Sequence, residues 1–267
     1  MKVGIIATAH EVPRVASLLR HLAPRAQVTL HVDEETLVDS RDTAFDEDVI
    51  FTKGRGYGLL TMARIAEAQG VCVVNSARAT WLATHRPLCG LACRQAGVRV
   101  PDFALGTAVP ASFERTIVKN VVDHHHLRFL DALPIVAAPG DAIPPIATAE
   151  EAGDGEIVPR FHYFQRFLRT RWEYKVYVVG ERQWHFRQAP VLANPDKMST
   201  RVKIEPVPEL EAAATRAVRA TGLVVASLDF LEEDGLYYLT DVNCTPNFNY
   251  LEDGAAAIGD YLVSLAR

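Results

Sequence analysis

The most constraining feature of this 267-residue chain is a pair of short apolar segments near its C-terminal end. Residues 227–231 and 236–243 flank the turn sequence Glu-Glu-Asp-Gly, an arrangement that predicts a β-hairpin. Asp229 lies in the first strand. Asp241 and Asn243 share one face of the second strand, because alternate strand residues point to the same side. The hairpin is therefore expected to bring two carboxylates and an amide oxygen together at the edge of an apolar sheet.

Two carboxylates at the edge of an apolar sheet need a cation or a basic partner to balance their charge. Oxygen ligands of this kind suit Mg²⁺ or Mn²⁺, and Mg²⁺ commonly takes one or two protein carboxylates plus substrate phosphates. The alternative is that Asp229 and Asp241 are solvated acids at strand ends and that Asn243 caps a turn. The occurrence of all three in one hairpin, closed by Pro246-Asn247, favours a metal site.

The composition is that of an ordinary soluble protein, with 49% hydrophobic and 23% charged residues. A net charge of −5 gives no electrostatic reason to expect nucleic acid or an anionic membrane as a partner. Thr8 and His10 interrupt the first apolar run, so we expect neither a signal peptide nor a membrane span, and we expect a cytoplasmic location. The four cysteines form no CxxC pair and are predicted to be free, buried thiols rather than zinc ligands: Cys72, Cys89, Cys93 and Cys244.

The first 76 residues alternate short apolar segments with helical ones. Strands are predicted at 2–8, 28–32, 48–52 and 71–74, and helices at 11–22 and 58–69. This alternation predicts a parallel, doubly wound sheet, whose ligands bind beyond the carboxyl ends of the strands. His10 and the loop 52–56 lie at that edge. Lys53 and Arg55 are therefore either solvated loop cations or, with His10, binders of an anionic substrate.

The second half of the chain is rich in predicted strands. Residues 173–188 read as a hairpin that turns at Gly180-Glu181, with Glu173, Lys175 and Tyr177 on one face. Lys175 and Arg187 are interpreted as cations that face acidic side chains inside the site. The alternative is that they only pair with Glu173 and Glu181 across the strands. Amphipathic helices are predicted at 208–221, ended by Gly222, and at 254–267.

The sequence Asp-Phe followed by Asp-Val-Asn-Cys-Thr-Pro-Asn resembles the metal-binding signature of ATP-grasp proteins. On that resemblance, Asp229, Asp241 and Asn243 hold the Mg²⁺ ions bound to ATP. Asp241 stands where many members carry Glu, and the shorter acid is found in the inositol-polyphosphate kinase branch. The segment from Asn75 to Phe103 is similar to the family's entry segment, with His85-Arg86 replacing an Asp-Lys pair.

The same resemblance assigns further residues to ATP. Lys119, which closes an apolar strand, takes the place of a phosphate-binding lysine. The cofactor-binding residues Gln165, Arg166 and Phe167 would line the adenine pocket mainly through backbone groups, with Glu173 nearby. Lys175 and Arg187 would hold the γ-phosphate and the transferring group.

Two features depart from the family pattern. Arg166 replaces a usual acid, which affects the ribose contact, and no glycine occurs from 107 to 139, where a glycine-rich flap is usual. Residues 124–126 are three consecutive histidines, which we expect at the surface rather than in a metal site.

The resemblance implies an ATP-grasp fold of the α/β class with α+β lobes. The expected division is a doubly wound pre-ATP-grasp domain over 1–76, a central lid lobe over 77–162 and a C-terminal metal- and nucleotide-binding lobe over 163–267. The implied activity is an ATP-dependent ligase that forms an amide from a carboxylate and an amine through an acylphosphate. The substrates would be small molecules or the tail of a peptide or carrier protein, and a homodimer is left open. The alternatives are a small-molecule kinase and a non-catalytic nucleotide-binding protein.

Overall fold

A computed structural model of the chain describes residues 1–122, 135–141, 143 and 161–266. The first sheet is parallel and has the strand order β2-β1-β3-β4. Its strands and helices are β1 Lys2–Ala7, α1 Val12–Leu22, β2 Gln27–Val32, β3 Val49–Lys53, α2 Tyr57–Ala68 and β4 Cys72–Val74. Val3 and Ile5 pack toward α1, whereas Ile6 and Ile50 pack toward α2, because successive strand residues face opposite sides. Helices therefore cover both faces of this sheet.

A second, antiparallel sheet follows two helices, α3 Ala77–Thr84 and α4 Arg86–Gln95. Ser76 caps α3, since its Oγ accepts a hydrogen bond from the Ala79 N–H at 3.1 Å. The four strands are β5 Phe103–Gly106, β6 Thr116–Asn120, β7 Ile135–Ala137 and β8 His162–Arg166, in the order β5-β8-β6-β7. We call this the lid sheet.

The third sheet is antiparallel, with the order β11-β10-β9-β12-β13, and we call it the central sheet. Its elements are β9 Glu173–Val179, β10 Arg182–Gln188, β11 Val202–Ile204, α5 Pro208–Thr221, β12 Val225–Glu233 and β13 Leu236–Asn243, followed by α6 Gly254–Leu265. Asp234 and Gly235, both at positive φ (54° and 74°), make the two-residue turn between β12 and β13. Helix α5 ends at Gly222, which adopts the left-handed conformation that favours glycine.

The hydrophobic cores cross the predicted lobe boundaries. One face of the central sheet, including Leu228 and Phe230, packs on α5 and on residues of α3 and α4 such as Ala83 and Cys93. The other face, including Val179, joins the core of the first sheet with α1 and α6. The α/β fold class is confirmed, and the division at 76 and 162 stays a prediction.

Four cysteines are unpaired, as the sequence predicts. Cys89, Cys93 and Cys244 are buried, whereas Cys72 is exposed because it starts an edge strand. Among the described residues, no helix has both the length and the apolar character that crossing a membrane requires.

His185 on β10 makes stability depend on pH. It is 2% exposed, neither ring nitrogen has a hydrogen-bond partner, and burial lowers its pKa below the usual 6.5. Below pH 6.5 the unfolded chain therefore binds a proton that the folded protein resists, so stability falls as the pH falls.

We expect His185→Leu to be less sensitive to acid than the wild type. The loss of unfolding free energy below pH 6.5 should shrink by up to about 1.4 kcal/mol for each pH unit that the ring titration spans. Urea unfolding of both proteins at pH 7.5, 6.5 and 5.5 measures the difference. Parallel pH profiles for the two proteins would contradict the assignment.

Candidate functional site

Asp229 and Asp241 lie directly opposite each other on β12 and β13. They are on the face of the central sheet opposite to the one that carries Leu228 and Phe230. A β-bulge makes this possible. Phe230 pairs with Leu239, but Asp229 pairs with Asp241, so Thr240 is an extra residue in β13. Without the bulge, Asp241 would pair with a core residue and point into the hydrophobic interior. The bulge therefore turns the second acid to the same side as the first.

Each of the two acids has a cation beside it. Lys175, opposite Asp229 in the β9–β12 register, donates a hydrogen bond to Asp229 Oδ1. The Nε of Arg86 lies 3.5 Å from Asp241 Oδ1. Burial opposes ionisation of Asp241, but the charges of Arg86, Lys119 and Lys175 together hold its pKa below the usual value. Asp241 is therefore suited to remain a carboxylate at neutral pH.

The lid sheet is tied to the bulge. Lys119 Nζ donates to the Thr240 carbonyl oxygen at 2.8 Å, and Gln165 Nε2 approaches the same oxygen at 3.4 Å. Arg86 Nη1 donates to the carbonyl of Asn120 at 3.1 Å, next to Lys119. Lys119 and Arg86 are consequently both held near Asp241.

These groups border a cavity of about 630 Å³ between the lid sheet and the central sheet. A volume of this size is typical of small-molecule and cofactor sites. The cavity gathers seven of the residues selected from the sequence: Lys119, Gln165, Arg166, Phe167, Glu173, Asp229 and Asp241. Sequence reasoning missed one part of the cavity lining, which is formed by residues 190–193 and Lys197. That segment has no periodic pattern that could have identified it.

Arg187 lies on the other face of the central sheet from Lys175, which corrects the expectation that the two act together. In the β9–β10 register Arg187 pairs with Tyr174, whereas Lys175 pairs with Phe186. Residues that pair across two strands share a face, so Arg187 lies on the same face as Tyr174. Its guanidinium stacks on Trp172, 4.4 Å from the ring centroid.

Arg201 occupies the face that Arg187 does not. Its Nε donates to Gln188 Oε1 at 2.6 Å, and its Nη1 donates to the Tyr177 hydroxyl at 3.2 Å. Lys175, Tyr177 and Arg201 thus lie on the same face of the central sheet as Asp229, beyond the residues that line the cavity.

Two of the residues predicted to line the adenine pocket, Arg166 and Phe167, already use their backbone N–H groups within the protein. The N–H of Arg166 donates to the Asp102 carbonyl at 2.7 Å, and that of Phe167 donates to the Arg115 carbonyl at 3.0 Å. Backbone N–H groups of these two residues are therefore already engaged. The Arg166 guanidinium bonds Glu233 at 2.9 Å.

Glu173 lies in a buried polar network at the base of the cavity. It accepts hydrogen bonds from Gln188 and, at 2.9 Å, from Lys197. Burial and the nearby charge of Asp229 raise its pKa above the usual value.

Asn243 is the predicted metal ligand that fits least directly. Its Oδ1 accepts hydrogen bonds from the Thr245 N–H at 2.9 Å and from Arg55 Nη2 at 3.3 Å. The two aspartates alone are within the number of carboxylates that Mg²⁺ takes from proteins when phosphate oxygens complete its shell. Asp229 and Asp241 therefore fit a divalent cation, whereas the Asn243 oxygen is engaged by other donors.

Lys53 is not a solvated loop cation. It is fully buried, and its ammonium bonds the carbonyls of Thr245 at 2.6 Å and Pro246 at 2.9 Å and lies 3.1 Å from Glu11. Burial lowers its pKa to about 8 although Glu11 opposes the shift. This ammonium is occupied within the protein, so a role in substrate binding loses its support. His10 is exposed beside Glu11.

The consecutive histidines 124–126 lie outside the described residues, as does most of the glycine-poor flap expected at 120–130. Within the described ranges, no cluster of three or more His, Cys, Asp or Glu side chains is arranged around a common metal position. The candidate cation site therefore rests on the two carboxylates of Asp229 and Asp241.

No protein-family model and no curated protein sequence matches the chain. Solved structures match it over nearly its whole length. A RimK domain ATP-grasp protein from Sphaerobacter thermophilus superposes with a TM-score of 0.73 at 16% identity, covering 98% of this chain and 100% of that one.

Two ligases are similar to a comparable degree. ATP-grasp ligase PsnB, solved with a minimal precursor, Mg and ADP, gives a TM-score of 0.69 at 16% identity and covers 99% of this chain and 97% of PsnB. D-alanine–D-alanine ligase from Bacillus anthracis, complexed with ATP, gives 0.69 at 13% identity and covers 100% and 97%. The fold expected from the hairpin of Asp229 and Asp241 is confirmed by these superpositions: the chain has the ATP-grasp fold.

Proposed function

We propose that the protein is an ATP- and Mg²⁺-dependent ligase that joins a carboxylate to an amine through an acylphosphate. The observation that carries the proposal is the facing pair Asp229 and Asp241 at the border of a 630 Å³ cavity, with Lys119, Lys175 and Arg86 beside them. Two acids and three cations around one cavity are the charge pattern that phosphoryl transfer requires.

The ligands in two of the similar solved structures support this proposal. PsnB is described as a ligase in complex with Mg and ADP, and the D-alanine–D-alanine ligase is in complex with ATP. The equivalent ligands for this chain would be ATP and Mg²⁺ in the cavity between the lid sheet and the central sheet.

Each charged residue has a role in the proposed reaction. Asp229 and Asp241 would hold Mg²⁺, and the bound ion would supply charge neutralisation at the transferring phosphate. Lys119, Lys175 and Arg86 would offset the remaining negative charge of the triphosphate and align its terminal group. The half-enclosed cavity would limit hydrolysis of the acylphosphate by water.

Two of the cations that a kinase could use to bind a polyphosphate, Lys53 and Arg55, are engaged within the protein. A polyphosphate substrate needs several accessible cations beside the metal site, but Lys53 is buried against Glu11, and Arg55 bonds Asn243 and Thr245. The non-catalytic alternative is separated from both enzymes by a measurement of ADP production.

A product assay tests the proposed reaction directly. Purified protein is incubated with ATP, Mg²⁺ and pools of carboxylates and amines, and ADP release identifies the reacting pair. With an ¹⁸O-labelled carboxylate, an acylphosphate route transfers one labelled oxygen to the released phosphate. A phosphorylated alcohol as product would instead support a kinase, and no ADP from any pool would support the non-catalytic alternative.

Removing either acid should stop turnover without unfolding the protein. Asp229→Asn and Asp241→Asn keep the side-chain shape but remove the charge on which Mg²⁺ binding depends. We expect ADP formation to fall by about 10²-fold or more in each. The exposed Glu252→Gln is the matched control. Substantial ATP consumption by either variant, at unchanged melting temperature, would contradict the metal assignment.

Lys119→Ala should weaken ATP binding. A charged hydrogen bond to phosphate contributes about 1.5–3 kcal/mol, so the dissociation constant should rise roughly 10- to 100-fold. Calorimetry with a non-hydrolysable ATP analogue measures the change, and Lys203→Ala on the exposed strand β11 is the control. Equal affinities for the wild type and Lys119→Ala would mean that another cation holds the phosphates.

A further inference from the structure

Two of the buried thiols lie on one face of α4. Cys89 and Cys93 are four residues apart in this helix, so their side chains project from the same side, one turn apart. They are 4% and 0% exposed, and both belong to the core that α4 shares with α5 and the central sheet. Neither thiol has a role in the proposed ligase reaction. The fold therefore places a pair of soft sulfur donors where bulk water does not reach them.

The two thiols are close enough to interact with each other. A hydrogen bond between them lowers the pKa of Cys93, and the same hydrogen bond together with burial raises the pKa of Cys89. The Cβ atoms of helical residues four apart are nonetheless about 5–6 Å from each other, which exceeds the roughly 3.5–4.5 Å that a disulfide spans. The helix therefore holds the two sulfurs near each other without letting them bond directly.

A small cavity of about 30 Å³ lies beside the pair. Both cysteines line it, together with Arg86, Asp241 and apolar residues such as Leu239. Its volume holds one water-sized particle. Arg86 and Asp241 also line the 630 Å³ cavity, so a small ion has a route to the thiols from the candidate active site.

The pair of thiols selects a soft ion that accepts two ligands. Thiolates favour Cu(I), Zn²⁺ and iron–sulfur clusters. Zn²⁺ and the clusters require at least three protein ligands, whereas the described part of the chain places no third His, Cys, Asp or Glu around a common metal position with this pair. Cu(I) is satisfied by two thiolates in line. Because a metal–thiolate bond is about 2.3 Å long, such an ion holds the sulfurs roughly 4.6 Å apart, a separation that residues four apart in a helix can reach.

Arg86 would balance the charge of the bound ion. A Cu(I) ion with two thiolates carries one net negative charge, and a buried charge needs a partner of opposite sign. Arg86 lies three residues before Cys89 in α4 and lines the same cavity. Its Nε lies 3.5 Å from Asp241, so the guanidinium would lie between the carboxylate and the copper complex.

We propose that Cys89 and Cys93 form a two-coordinate site for Cu(I). Binding exchanges the thiol protons for one copper ion: both thiols become thiolates, two protons leave for the solvent, and no electron is transferred. The site is independent of ATP and of the proposed ligase reaction, so it can be measured on the free protein. It adjoins Asp241 without using that carboxylate as a ligand.

Cu(I) buffered by bicinchoninic acid is the probe for this site, and the full-length protein with its exposed thiol removed, Cys72→Ser, is the reference. Under anaerobic conditions, the fall in absorbance of the copper–chelator complex measures the copper that the protein withdraws. We expect one Cu(I) per chain, with Kd raised at least ten-fold when Cys89→Ser or Cys93→Ser is added. Cys244→Ser removes another buried thiol of the same core and should leave Kd unchanged.

X-ray absorption at the copper edge identifies the ligands, and two sulfur neighbours are expected. Melting temperatures show whether each variant is folded, and alanine, which suits an apolar surrounding, replaces serine wherever serine unfolds the protein. Four results would overturn the proposal: no copper withdrawn from the chelator, unchanged Kd in both Cys89→Ser and Cys93→Ser, an equal loss in Cys244→Ser, or nitrogen neighbours, which would place the ion on histidine.

Discussion

The arrangement of the whole site depends on buried hydrogen bonds between the first sheet and the segments around β12 and β13. The Asn75 side chain, 1% exposed, donates to the carbonyls of Val225 and Cys244 and accepts the N–H groups of Val224 and Val225. Lys53, from β3, bonds two further carbonyls just beyond Cys244. Each unsatisfied buried group would cost about 1–3 kcal/mol, so the two sheets can adopt only the orientation that satisfies all of them. The position of the acidic hairpin relative to the N-terminal sheet follows from this constraint.

Within the central sheet, a single extra residue decides the chemistry. The bulge at Thr240 moves Asp241 from the core side to the side of Asp229 and, at the same point, turns the Thr240 carbonyl toward Lys119 and Gln165. A regular strand would have supplied neither the second acid nor the anchor for the lid. Bulges commonly re-aim side chains beside functional sites. Here one bulge both creates the acid pair and connects it to the sheet that forms the opposite wall of the cavity.

Local patterns predict the elements of this chain well. Helix α5 begins and ends where the amphipathic pattern and Gly222 indicate, and the two central hairpins follow from their turn residues. The sequence predicts much less about pairing between distant segments. Lys53 reads as a loop cation because its partner carbonyls lie 192 and 193 residues away. The sequence also predicts Arg187 on the same side as Lys175, whereas the register of β9 and β10 places it on the other face. The acid pair itself could be recognised from residue types, but the bulge that makes it face one way leaves no turn signature in the sequence.

Two pairs of acidic residues in the described part of the chain differ in how their charge is balanced. Asp229 and Asp241 each have a cation close by, Lys175 and Arg86, which offsets the carboxylate charge at the border of the cavity. Asp33 and Glu34 are instead balanced by a shared proton and backbone N–H groups.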